Sequence, residues 1–217
     1  MKNIRILFMG TPEFAGFSLK TLIENEYNVV SVVTRADTKK DRGQKIKFSP
    51  VKEIAIENNL PVFQPESLKE ENFLDYLSET KPELIIVVAY GKILPEYVLD
   101  YPKYGCINAH ASLLPKYRGA APIQYAIKCG DKVSGVTTML IDKGLDTGDI
   151  LLKSEVPVTD NDTGGSLHDK LMNISGDLLI ETIENIGSIK PEKQDNSLAT
   201  YAPPIKKEDT IIDFNIF

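Results

Sequence analysis

Leu84-Ile85-Ile86-Val87-Val88-Ala89 is an unbroken apolar run of strand length, and a strand apolar on both faces must lie inside a sheet covered above and below. Shorter runs rich in Ile and Val, Ile4–Met9 and Asn28–Thr34, precede it, and segments with helical spacing separate them. Pro12 suits the first turn of a helix reaching about Glu26. Ser49, as an N-cap with Pro50 behind it, predicts a helix to Asn58. A brief extended piece at Pro61–Phe63 and helices over Ser67–Thr80 and Pro122–Lys128 keep the alternation going. After Gly130 the rhythm changes: Val133–Ile141 and Ile150–Val158 predict an antiparallel pair, and Thr163–Ile186 a long helix. This order predicts an α/β fold: an open, mostly parallel sheet with helices on both faces and a late antiparallel extension. Such a domain would span residues 1–186, with a polar linker over 187–206. Residues 207–217, which stop abruptly in Asn215-Ile216-Phe217, read as the truncated start of a further domain.

A chain of 217 residues, 42% hydrophobic and 26% charged, is ordinary for a globular protein. Its net charge of −6 repels nucleic acid, so any such contact needs a local reversal of sign. The stretch 35–47 supplies one: Arg35, Lys39, Lys40, Arg42, Lys45 and Lys47 face only Asp37 and Asp41, and Gly43 adds flexibility. A charge run is often just a solvated loop; this one equally suits an arm that contacts phosphates. Cys106 and Cys129 have neither metal-ligand nor disulfide spacing, which fits a reducing cytoplasm. The apolar start is too short for a signal peptide and Arg5 interrupts it, and no stretch approaches membrane-spanning length. A cytoplasmic monomer is the expectation.

Chemistry concentrates after Gly105. Asn108 and His110 are two apart on a short strand, so an amide and an imidazole share one side of it. Ser112-Leu113-Leu114-Pro115 then breaks the strand. Taken singly, an Asn there is often a turn former and a His a satisfied structural residue; the pair followed by a shaped loop points to a site at the strand's carboxyl end. Asp146, in Gly144-Leu145-Asp146-Thr147-Gly148, is the candidate third member, since the glycines permit a bend back over the sheet. The alternative is a turn aspartate bonding its own backbone. Gly10-Thr11-Pro12 is not a phosphate-cradling turn, because Pro12 removes an N–H, although Phe14 behind it can wall a pocket. The acidic loop lacks calcium-loop order, and His168 reads as a surface or capping residue.

Asn108-x-His110, the Ser112–Pro115 loop and Asp146 in Leu-Asp-Thr-Gly together resemble the folate-dependent formyltransferase family. Gly10–Ala15, Ser49–Lys52, Val87–Gly91, Tyr117–Gln124 and Gly144–Asp149 extend the likeness along the chain, towards the branch acting on methionyl-tRNA. The resemblance implies a Rossmann-like formyltransferase fold and transfer of a formyl group from 10-formyltetrahydrofolate to the α-amine of initiator methionyl-tRNA in translation initiation, with no metal required. It makes Asn108, His110 and Asp146 the catalytic trio. It places the folate donor against Ser112, Leu113, Leu114, Pro115, Ile93, Leu94, Ile141, Asp142 and Leu145. It assigns the tRNA and its methionyl group to Arg42, Lys39, Lys40, Lys45 and Phe14, although the family's usual proline-containing stretch is replaced here by Arg35–Lys40. Asn108 and a protonated His110 would form an oxyanion clamp, with Asp146 as orienter and proton acceptor. Other amine acceptors (glycinamide ribonucleotide or an amino sugar nucleotide), hydrolysis of formyl-folate, and a non-catalytic binding domain stay open as alternatives.

Overall fold

In the computed structural model, which describes residues 1–40, 45–68 and 71–211, the elements follow the alternation of the sequence. The first are β1 (Ile6–Gly10), α1 (Glu13–Glu24) and β2 (Val29–Val33). A short hairpin of β3 (Thr38–Lys40) and β4 (Lys45–Lys47) comes next, then α2 (Pro50–Glu57), β5 (Val62–Phe63), α3 (Glu71–Thr80) and β6 (Leu84–Val88). The second half holds α4 (Glu96–Leu99), β7 (Cys106–His110), α5 (Pro122–Lys128), β8 (Val133–Leu140), β9 (Ile150–Pro157) and α6 (Gly164–Asn185). Among the described residues β5-β2-β1-β6-β7-β8-β9 make one seven-stranded sheet. The first five strands in that order run parallel, and β8 and β9 are added antiparallel.

Strand alternation sorts the core into two layers. Ile6, Phe8, Leu84, Ile86, Ile107 and Ala109 pack with Leu19 and Leu22 of α1, Val51 of α2 and Leu171, Leu178 and Leu179 of α6. Leu7, Met9, Ile85, Val87 and Cys106 face the other way, onto Phe73 and Leu77 of α3 and Leu94 and Val98 around α4. Full burial of each such side chain is worth about 1.5–3 kcal/mol. Small residues let α1 and α6 cross closely: Ser18 Oγ lies 3.3 Å from Ser175 Oγ, and a Cβ on Gly176 would sit 2.7 Å from Thr21 Oγ1. Local signals set the helix starts. Ser49 Oγ accepts from the Lys52 amide at 3.1 Å, and Thr163 and Ser166 cap α6 reciprocally.

Some short elements go beyond the sequence expectations. The basic stretch contains the β3–β4 hairpin, whose strands are too short and too charged to show an apolar rhythm. The four-residue α4 is barely more than one turn, too short for an apolar stripe to recur along it. Arg42 lies outside the described residues. No helix among the described residues is long and apolar enough to cross a membrane.

Candidate active site

β7 is where the sheet changes direction, paired parallel to β6 on one side and antiparallel to β8 on the other. Its odd-numbered residues enter the first core layer, leaving Cys106, Asn108 and His110 on the opposite face. The three are roofed differently. Cys106 lies under α4, with its Sγ 3.5 Å from the Val98 carbonyl, and burial pushes its thiol up to about 12. Asn108 and His110 meet the loop that leaves β8, which starts over β7 with the Ile141 amide donating to the Cys106 carbonyl at 2.8 Å. Inside that loop Asp142 Oδ1 accepts from the Gly144 amide at 3.0 Å and the Thr147 hydroxyl at 2.6 Å. Gly148 is required by space, since a Cβ there would come 1.7 Å from the Leu140 carbonyl oxygen. Asp146 itself sits in the left-handed region at φ 53°.

The bend brings Asp146 onto the amide and the imidazole. Asn108 Nδ2 donates to Asp146 Oδ1 at 3.4 Å, and His110 Nδ1 is 3.7 Å from Asp146 Oδ2. Oδ2 also accepts from the Gly119 amide at 2.8 Å. Asp146 therefore bonds to two other elements, while the short-range turn bonds fall to Asp142. His110 Nε2 lies 2.9 Å from the Tyr117 carbonyl, an acceptor only, so that nitrogen carries the proton. With Nε2–H committed there, Nδ1 is the edge turned to Asp146 and donates only when the ring is doubly protonated. The site thus holds an amide donor, an imidazole of defined polarity and a nearly buried carboxylate within one small space.

The loop after His110 is fixed from below. Ser112 Oγ donates to the Lys116 carbonyl at 2.6 Å, and Leu114 is buried with Met139 and Ile150. Thr137, opposite His110 on β8, accepts from the Leu114 amide at 3.1 Å and donates to the Ser112 carbonyl at 2.7 Å. The side chains of Ser112 and Leu114 are therefore spent inward, leaving Leu113 and Pro115 half-buried. Leu94 and Ile141 join the layer around Cys106, whereas Ile93 is 87% and Leu145 60% exposed. Phe14 is only 6% exposed and meets the ring of His168 edge-on at 5.6 Å, so His168 has a packing partner besides Asp169. Lys39, Lys40 and Lys45 lie on the strands of the β3–β4 hairpin.

Sequence reasoning missed four residues that hold this arrangement: Thr137, Gly119, Arg118 and Gln194. Arg118 and Gly119 were visible as part of the motif after the Leu-Leu-Pro loop, but nothing marked their contacts. Gln194 lies in a polar stretch with no periodicity.

The protein is thus an α/β protein with a mostly parallel sheet, whose Asn–His strand lies under a carboxylate-bearing loop. The sequence profile described as formyl transferase matches residues 2–183, and the chain belongs to that family. It is 56% identical over 214 residues to the methionyl-tRNA formyltransferase of Caldanaerobacter subterraneus subsp. tengcongensis, covering 97% of this chain and 69% of that protein. Against the methionyl-tRNA formyltransferase of Clostridium perfringens strain 13 it is 56% identical, over 98% of this chain and 70% of the other. The same fold occurs in glycinamide ribonucleotide transformylase 1 from Symbiobacterium toebii, with a TM-score of 0.72 at 19% identity over 89% of this chain and 95% of that one.

Proposed function

We propose that this chain transfers a formyl group from 10-formyltetrahydrofolate to the α-amine of methionyl-tRNA, in the cytoplasm and as a monomer. The observation that carries the reading is the meeting of Asn108, His110 and Asp146, 38 residues apart along the chain at its widest. When bound, 10-formyltetrahydrofolate would supply the formyl carbon that the amine attacks; the bond from that carbon to the folate nitrogen breaks as the new C–N bond stands, and the proton lost by the amine ends on the nitrogen of the departing tetrahydrofolate. Asn108 Nδ2–H and a protonated His110 Nδ1–H can both donate to an oxygen placed between them, where negative charge would gather. Asp146 stands beside both and can take a proton from the incoming amine, directly or through a water. The exposed Ile93 and Leu145 fit the donor, because flat heterocycles bind on bare aliphatic surface, while the Leu113 amide, the Leu114 carbonyl and the backbone of the 141–145 loop other than the Ile141 and Gly144 amides serve its polar edges. Arg42, Lys39, Lys40 and Lys45 serve the tRNA phosphates, and Phe14 bounds the methionyl end.

The test is formyl transfer by the purified chain to methionyl-tRNA, glycinamide ribonucleotide and an amino sugar nucleotide, with formyl-folate hydrolysis followed when no acceptor is present. Transfer to methionyl-tRNA, lost in His110→Ala without loss of fold, is the expected result. Preference for another acceptor, hydrolysis alone, or wild-type turnover in His110→Ala overturns the reading.

A further inference from the structure

Gln194 is the one residue of the stretch 190–198 that is both inward-facing and bonded to the loop carrying Asp146. The segment around it runs as a strap across the domain. Glu192 exchanges two backbone hydrogen bonds of 2.8 Å with Ile150. Further along, the Arg118 amide donates to the Thr200 carbonyl and the Ala202 amide to the Arg118 carbonyl, both at 2.8 Å, and Ala202 is fully buried. Between these anchors the Gln194 side chain turns inward. Its Oε1 accepts from Arg118 Nε at 3.0 Å and Nη2 at 2.7 Å. Its Nε2 donates to the carbonyls of Asp146 at 2.9 Å and Gly148 at 2.8 Å. The amide has one workable orientation, because the reverse sets NH2 against a guanidinium and oxygen against two carbonyls. Arg118, only 2% exposed, is fixed further by Asn196 Oδ1 at 2.9 Å.

We propose that Gln194, held by Arg118, is a positioning residue that keeps Asp146 bent over Asn108 and His110; the inference rests on the reading of that trio as the formyl-transfer site. A non-glycine residue at φ 53° is strained, and two carbonyls pinned on either side of Thr147 hold the backbone there. The same strap grips the other end of the contact. Thr200 Oγ1 accepts from the amide of Tyr117, whose carbonyl holds the His110 ring, and Gly119, beside Arg118, donates to the Asp146 carboxylate. A shift of about 1 Å in such a group can cost roughly a hundredfold in rate.

Gln194→Glu tests this, since it keeps an acceptor for Arg118 and removes both protons given to the 146–148 backbone. The expected result is a kcat reduced roughly tenfold to a hundredfold, with KM for methionyl-tRNA changed less than about threefold. Amide hydrogen exchange at Gly119 should quicken, while the Arg118 amide, bonded to Thr200, keeps its wild-type rate. Combined with Asp146→Asn, Gln194→Glu should cost little more than Asp146→Asn alone, a coupling that a strap serving only stability does not produce. Wild-type kcat, wild-type exchange at Gly119, or costs that multiply in the double variant each overturn the proposal. If Gln194→Glu does not fold, Gln194→Met takes its place in the same measurements, and the same results support or overturn the proposal. Should the wild-type chain form no formyl product, the functional reading fails and exchange at Gly119 alone decides the positioning role.

Discussion

Asp146→Asn keeps the shape of the side chain and removes its charge, so its effect follows from what its two oxygens meet. In the native site each carboxylate oxygen accepts a hydrogen bond, Oδ2 from the Gly119 amide at 2.8 Å and Oδ1 from Asn108 Nδ2 at 3.4 Å, and His110 Nδ1 stands 3.7 Å from Oδ2. An asparagine has one oxygen to offer. Turned towards Gly119, it leaves its NH2 against the NH2 of Asn108; turned the other way, it sets N–H against N–H at the shorter contact, which is worse. The first orientation keeps the Gly119 bond, now neutral, and gives up the charge. A hydrogen bond to a charged group is worth about 1.5–3 kcal/mol against about 0.5–1.5 for a neutral one, so stability should fall by roughly 1–2 kcal/mol. For a chain of this length that lowers Tm by about 2–8 °C, and the protein stays folded at 25 °C. The rate suffers far more, because the variant has no proton acceptor beside the amine. Loss of a positioned base costs about 10²–10⁴ in turnover, or roughly 3–5 kcal/mol of barrier. Single-turnover formyl transfer beside a thermal melt by circular dichroism separates the two effects. Turnover within about threefold of wild type, in a folded variant, would refute the assignment of Asp146 to proton transfer.

Two further predictions concern buried acids outside the trio. The Tyr90 hydroxyl is buried with no hydrogen-bond partner among the described residues, and burial pushes its pKa from 10.0 up to about 12 despite the nearby Arg35. The unfolded chain therefore releases this proton first, so the stability it contributes is intact below about pH 10 and is lost as pH climbs towards 12. Tyr90→Phe should match or exceed wild-type stability at pH 7 and move the alkaline unfolding midpoint upward; a loss of more than about 1 kcal/mol at pH 7 would mean the hydroxyl has a partner after all. Cys106, held near 12 by burial and the Asp100 charge, should not react with an alkylating reagent at pH 8, whereas the exposed Cys129 should. Mass spectrometry should find one labelled thiol in the folded chain and two after denaturation; rapid labelling of Cys106 would contradict its burial.

What could be read from the residues follows from how locally each feature is determined. β6 announced itself because a strand buried on both faces needs no polar residue, and the caps Ser49 and Thr163 act over three residues. Asn108 and His110 were legible because strand alternation alone puts them side by side. The flanking glycines made Asp146 a candidate with a turn aspartate as the alternative, and only resemblance favoured one over the other, since the backbone path from β8 back across β7 depends on Gly148 passing the Leu140 carbonyl, which no periodicity encodes. The bond between Arg118 and Gln194 spans 76 residues and joins two polar side chains, so neither composition nor spacing hints at it. The Phe14–His168 contact was hidden likewise, joining the starts of two helices distant in the chain.

The distances in the site carry a pattern that bears on how it works. Contacts on its outer side are tight: His110 Nε2 to the Tyr117 carbonyl is 2.9 Å, and the Gly119 amide to Asp146 is 2.8 Å. Contacts on the inner side, where the amide, the imidazole and the carboxylate face one another, are loose at 3.4 and 3.7 Å. The longer of these is beyond a direct hydrogen bond, and the shorter is at its weak limit. The backbone thus fixes the imidazole and the carboxylate from behind and leaves the edges they turn to each other and to Asn108 loosely held. An oxygen or amine entering between them gains donors and an acceptor without first breaking strong bonds, and the groups need not reorganise to receive it, which is the condition under which fixed dipoles lower a barrier most. Tightening the inner contacts would stabilise the free protein at the expense of that readiness, so the looseness belongs to the function as much as the anchors do.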